Sequence, residues 1–151
     1  MKKIKSTIIK SLLLNDGINM NASIKEHVGT VLPRLLRCDT CGSLDYNNQI
    51  HIIWDVKFRN KLNYNERRFC ILHEIGHYSN NHDGYKRDIY SETQADSYAV
   101  KYMEYDVAIK SMQGIYNKLN SKEAKAEFKE RINNQVQIEY CKRAIRNGNI
   151  I

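Results

Sequence analysis

The chain has 151 residues, enough for one domain with a substantial core and too few for two catalytic domains. Hydrophobic residues make up 42% and charged residues 27%, the balance of an ordinary globular protein, and no apolar run reaches the roughly 18 residues that a membrane helix needs. The formal charge of +7 admits an acidic or nucleic-acid partner, but the 24 Lys and Arg are spread along the chain, which favours a solvated basic surface.

Met1 to Leu14 opens with lysines and carries Ile8-Ile9 and Leu12-Leu13-Leu14, a superficial likeness to a secretion signal. Lys10 and Ser11 split the apolar run, and no small-residue cleavage site follows. The expectation is a short amphipathic helix burying Ile4, Ile8, Ile9 and Leu12, in a cytoplasmic protein. The four cysteines, Cys38, Cys41, Cys70 and Cys141, then read as reduced thiols. Cys38-Asp39-Thr40-Cys41 has half the spacing of a zinc ribbon, but no second CxxC exists to complete it.

Residues 31 to 54 read as strand and turn. Val31 to Leu36 is apolar, and Pro33 confines it to an edge strand or a loop. Cys38 to Ser43 is turn-like, and Leu44-Asp45-Tyr46 and Gln49 to Trp54 flank Asn47-Asn48 as a β-hairpin. The strand Gln49 to Trp54 is a candidate for binding an extended substrate by edge addition. His27 and His51 offer no constellation in sequence.

Asn63-x-x-Glu66 has the form of a capping box, after which Phe69, Leu72, Ile75 and Gly76 recur at helical spacing. Gly76 costs such a helix about 1 kcal/mol relative to alanine, which points to another backbone passing close by. Asn80 to Asp88 is polar and contains Gly84, so it reads as a loop. Ser91-Glu92-Thr93-Gln94 forms a second capping box, placing a helix start near Glu92 with Ala95, Tyr98, Ala99, Tyr102 and Met103 on one face. Val107 to Leu119 and Ser121 to Tyr140 read as further helices, ended by Asn147-Gly148-Asn149.

Within the first of these helices lies His73-Glu74-Ile75-Gly76-His77, an HExxH. Residues four apart on a helix share a face roughly 6 Å from each other, so both imidazoles can reach one metal ion. Glu74 then stands beside the ion, where a carboxylate can take a proton from an attacking water. Hydrolytic zinc takes three protein ligands, and Glu92, beyond the loop at the start of the next helix, is the candidate third. Asp96, one turn on, is placed to accept a hydrogen bond from the second nitrogen of His73 or His77. In this composition an HExxH arises by chance about once in a hundred chains, and the added Glu-x-x-x-Asp lowers that risk. Cys70 reads as a small buried thiol, and His82, about 140° round from His77, points elsewhere if the helix continues. Tyr78, His82, Tyr85 and Tyr90 are within sequence reach as oxyanion donors, and none is assigned.

Asn65 to Tyr78, followed by Glu92-Thr93-Gln94-Ala95-Asp96-Ser97-Tyr98-Ala99, resembles the gluzincin metallopeptidases, particularly the small ImmA/IrrE-like group. The resemblance spans about residues 31 to 105 and includes the hairpin around Asn47-Asn48. It implies that His73, His77 and Glu92 are zinc ligands and that Glu74 is the catalytic glutamate. Val100 to Asp106 lacks the Met-Pro ending common in that group, and with Tyr78 to His82 it resembles soluble relatives of the M48 peptidases and the minigluzincins at least as closely. The expectation is an α+β, zincin-like domain over residues 1 to 151, with a core at about 18 to 106 and a helical extension at about 107 to 147. Its short sheet packs on the HExxH helix and the glutamate helix. Its implied activity is zinc-dependent hydrolysis of a protein or peptide substrate, regulatory and repressor-like by resemblance. Two alternatives share these residues. One is a non-catalytic zinc-fold binding protein or nucleic-acid-associated factor. The other is a latent peptidase whose C-terminal helices occupy its own cleft.

Overall fold

The computed structural model describes residues 5–8, 23–30, 40–46, 49–82 and 88–148. The fold is α+β. Its strands are β1 (Lys5–Ile8), β2 (Ser23–Gly29), β3 (Cys41–Tyr46) and β4 (Gln49–Asp55). Its helices are α1 (Val56–Lys61), α2 (Tyr64–Ser79), α3 (Ile89–Met103), α4 (Tyr105–Lys118) and α5 (Lys122–Arg146).

The strands form one mixed sheet in the order β1-β2-β4-β3, in which β2 and β4 run parallel and the outer pairs antiparallel. Alternation along β4 buries Ile50, Ile52 and Trp54 on the face where Ile24 of β2 also lies. The hairpin closes with Tyr46 opposite Gln49, as the sequence predicts. Three expectations are corrected. Lys5–Ile8 is a strand paired with β2, not part of a helix, consistent with its β-branched Thr7-Ile8. Cys41 to Ser43 are strand residues, because Trp54 to Ile52 offer them ladder partners. Strand β4 is internal, so neither of its edges can accept a substrate; among the described residues β3 is an edge strand instead. Ile4, Ile9, Leu12, Val31 to Leu36 and Cys38 lie outside the described residues.

Asp55 caps the short helix α1 through Phe58 N, at 3.0 Å. Asn63 and Glu66 make the expected reciprocal capping box of α2, at 2.9 Å each way. Helix α3 starts earlier than expected. Asp88 is its N-cap and Ser91 the reciprocal partner, which makes Glu92 a first-turn residue and not the helix start.

One core joins the layers. Ile24, Ile52 and Trp54 of the sheet, Phe69, Leu72 and Ile75 of α2, and Ala99 and Met103 of α3 form a single buried cluster with Met112, Ile115 and Phe128. Helices α4 and α5 therefore pack into the same core as the sheet.

Helices α2 and α3 meet at Gly76. A Cβ there would lie 2.8 Å from Ala95 O and 2.8 Å from Tyr98 Cβ, and 2.9 Å from Ala95 Cα. Two of these three atoms are backbone, so the helices themselves must part. The expected result for Gly76→Ala is a net loss of about 1 to 3 kcal/mol from overpacking, despite alanine's better helix propensity. Urea unfolding measures it. Stability equal to or above that of the native chain would show that the close approach is not required.

Candidate metal centre

Helix α2 presents His73 and His77 one turn apart, and α3 brings Glu92 across the Gly76 contact to meet them. His73 Nε2 and His77 Nε2 are 3.0 Å apart. Glu92 Oε2 lies 3.1 Å from the first, and Glu92 Oε1 lies 3.5 Å from the second. Tetrahedral zinc with bonds of about 2.0 to 2.1 Å separates its ligand atoms by about 3.3 Å. The two Glu92 distances go to different oxygens, and with one atom from each residue the donors lie within 4.8 Å of one another, so the set fits such an ion in chemistry and approximately in spacing. These are the three residues in the chain's potential metal-binding group among the described residues.

Behind His73 the support is ionic and buried. Asp96 Oδ1 is 2.7 Å from His73 Nδ1, and the Asp96 side chain is fully enclosed. Arg131 of α5 grips that carboxylate with both arms of its fork, Nε to Oδ2 at 2.8 Å and Nη2 to Oδ1 at 2.7 Å. It also reaches Glu92 Oε2 at 3.6 Å. No local pattern marks Arg131, a buried arginine on a helix rich in solvated charges and 35 positions from its partner.

His77 is supported differently, and here an expectation is overturned. Helix α2 does not continue. Asn81 takes a left-handed φ of 53°, with Asn81 N bonded to Tyr78 O at 3.1 Å and His82 N to His77 O at 3.0 Å. This is the closed turn of a Schellman motif, and it folds His82 back over His77. His82 Nδ1 lies 2.8 Å from His77 Nδ1, and His82 Nε2 lies 2.7 Å from Gln94 Oε1. An asparagine following the helical run was the available signal, because Asn tolerates the left-handed cap position.

Glu74 is only 6% exposed, yet among the described residues its carboxylate has no hydrogen bond or ion pair. Buried carboxylates are normally paired, so an uncommitted one beside a metal-ligand cluster calls for a chemical explanation. Cys70 stays outside the donor set. Burial pushes its thiol well up, and the Glu74 charge adds to that, so it is a neutral thiol. His27 and His51, expected to be unrelated, stack with centroids 5.0 Å apart and Nε2 to Nδ1 at 2.8 Å. They lie diagonally across the parallel pair β2 and β4, and among the described residues no third ligand joins them.

Burial alone would lower the His73 pKa, but the Asp96 carboxylate, with the hydrogen bonds His73 donates to Asp96 and Glu92, outweighs it and pushes it up to about 9. Burial would likewise raise Asp96 and Glu92; Arg131 holds Asp96 below the carboxylate range, and the hydrogen bond from His73, with the charges of His73 and Arg131, holds Glu92 there. Without metal, then, His73 carries a proton that stabilises the fold. A raised pKa gives stability fully present below the ordinary 6.5 and lost as pH rises through about 9. The depressed carboxylates give stability present above their ordinary 3.8 and 4.5 and lost in acid. Metal-free protein is therefore expected to be most stable between about 4.5 and 6.5, and to lose about 3 kcal/mol by pH 10. Chelator-treated protein unfolded in urea across this range tests it. A flat profile from pH 6 to 10 would mean that His73 is not protonated in the fold.

No family model, no curated protein and no solved structure matches this chain. Among the described residues, no helix is long and apolar enough to cross a membrane.

Proposed function

We propose that the chain is a metal-dependent hydrolase. More narrowly, we read it as a zinc endopeptidase of the gluzincin kind, close in its motifs to the ImmA/IrrE-like group, with a protein or peptide substrate. The observation that carries the reading is the convergence of His73, His77 and Glu92 within 3.0 to 3.5 Å, beside a buried and unpartnered Glu74. Zinc held there would supply Lewis acidity and lower the pKa of an attacking water to about 7. Glu74 takes the proton as that water attacks a peptide carbonyl, then returns it to the leaving amine. Asp96 and Arg131 keep the His73 ring fixed while this happens.

The edge strand β3 packs near the HExxH helix and offers an extended peptide a backbone ladder, with Leu44 and Tyr46 exposed on it. Ladder bonds bind main chain and select side chains weakly, so specificity must come from elsewhere on the substrate. A regulatory, repressor-like target follows from the family resemblance alone.

Metal analysis of purified protein, with hydrolysis of an unfolded protein substrate before and after chelation, tests the proposal. Expected are one zinc per chain, cleavage abolished by chelator and restored by zinc, and no retained metal in His73→Ala. A native chain without stoichiometric zinc would sink the reading. Stoichiometric zinc with no cleavage would favour a zinc-fold binding protein instead.

A further inference from the structure

The two metal-facing imidazoles are oriented by unlike devices. The outer nitrogen of His73 is held by a buried ion pair, whereas the outer nitrogen of His77 meets the imidazole of His82. We infer that His82 and Gln94 are positioning residues that fix the tautomer of His77, through a neutral hydrogen-bond chain running from Tyr90 to the metal-facing nitrogen. The inference rests on the metal-site reading above and adds two residues to it.

The chain can run in two directions. In the one the structure records, Gln94 Nε2 donates to Tyr90 Oη at 3.1 Å and Oε1 faces His82 Nε2 at 2.7 Å. A carbonyl oxygen only accepts, so His82 carries its proton on Nε2 and leaves Nδ1 bare. That bare nitrogen, 2.8 Å from His77 Nδ1, accepts the proton His77 carries there. His77 Nε2 is then unprotonated, and this is the atom 3.0 Å from His73 Nε2 and 3.5 Å from Glu92 Oε1. Reversing the amide reverses every step and ends with a proton on His77 Nε2, aimed into the ligand cluster. Only the first direction leaves a lone pair for a metal.

Local structure explains why a histidine can do this from outside the helix. The left-handed Asn81 brings His82 back over the last turn, and Gln94 comes from α3, one turn after the helix residue Tyr90 that orients it. His77 is the more open of the two imidazoles, its side chain 20% exposed against 8% for His73.

Long-range proton–nitrogen correlation on metal-free protein with nitrogen-labelled histidine reads the tautomers directly. The expected result is His77 protonated on Nδ1 and His82 on Nε2. His82→Leu, which removes the acceptor, is expected to abolish the His77 preference and to weaken zinc binding about 10- to 100-fold in a chelator competition. His82→Asn places an oxygen where Nδ1 was and is expected to restore zinc affinity to within about threefold of the native value. The opposite tautomer on either ring, or equal zinc affinity for the Leu and Asn variants, overturns the inference. Should the native chain bind no zinc, the metal reading falls, while the tautomer measurement on metal-free protein still decides this one.

Discussion

Arg131→Met is expected to cost about 3 to 5 kcal/mol of unfolding free energy, the range for stripping one partner from a buried ion pair. Asp96 is 0% exposed and Arg131 6%, and the guanidinium satisfies both carboxylate oxygens, so no water can replace it cheaply. Arg131→Lys is expected to recover little, because a single ammonium cannot match a two-armed contact. The double variant Arg131→Met with Asp96→Leu should recover most of the stability, since an apolar pair of similar size substitutes well for a buried ion pair. Its zinc affinity should still be about 10- to 100-fold weaker, because His73 has lost its orienting acceptor. Urea unfolding and chelator competition read the two effects separately. A loss under about 1 kcal/mol for Arg131→Met would mean that the ion pair does not hold Asp96 in solution. The same contact reverses the outcome expected from self-inhibition. Removing residues 107 to 147 takes away Arg131, Met112, Ile115 and Phe128, so loss of fold and metal is expected, not a gain of proteolysis.

What the sequence made legible was local. The capping box at Asn63 and Glu66, the close approach at Gly76, the hairpin at Tyr46 and Gln49 and the grouping of His73, His77 and Glu92 each follow from spacing a few residues long or from one residue's conformational cost. What stayed hidden depended on chain paths. Strand β2, and β4 as an inner strand, need a parallel pairing between segments 26 positions apart, which no short pattern encodes. Arg131 joins the site from α5 through tertiary packing alone. His82 was misplaced by assuming an unbroken helix, when one left-handed residue at Asn81 redirects it. The sequence rules fail where a single backbone angle or a distant helix decides, and these are the places where the candidate site is finished.

Glu74→Gln should lower kcat/KM by about 100- to 10,000-fold while leaving zinc content unchanged. The substitution keeps shape and volume but removes the carboxylate proposed to take and return the proton. Glu74 is no part of the His73, His77 and Glu92 donor set, so metal retention has no reason to change. Stability offers a second readout that a structural role would move. Glu74 makes no hydrogen bond or ion pair among the described residues, so an amide of the same shape should leave the unfolding free energy within about 0.5 kcal/mol of the native value. A residue placed for packing or pairing would instead lose stability on the same change. Glu74→Asp separates charge from reach: it restores the carboxylate but withdraws it by one methylene, and a base that must meet the water at hydrogen-bond distance should recover only part of the rate. Initial rates on a quenched fluorescent peptide mixture, zinc content and urea unfolding together complete the test. Undiminished cleavage in Glu74→Gln would remove Glu74 from the chemistry. Lost cleavage accompanied by lost zinc or lost stability would make it structural.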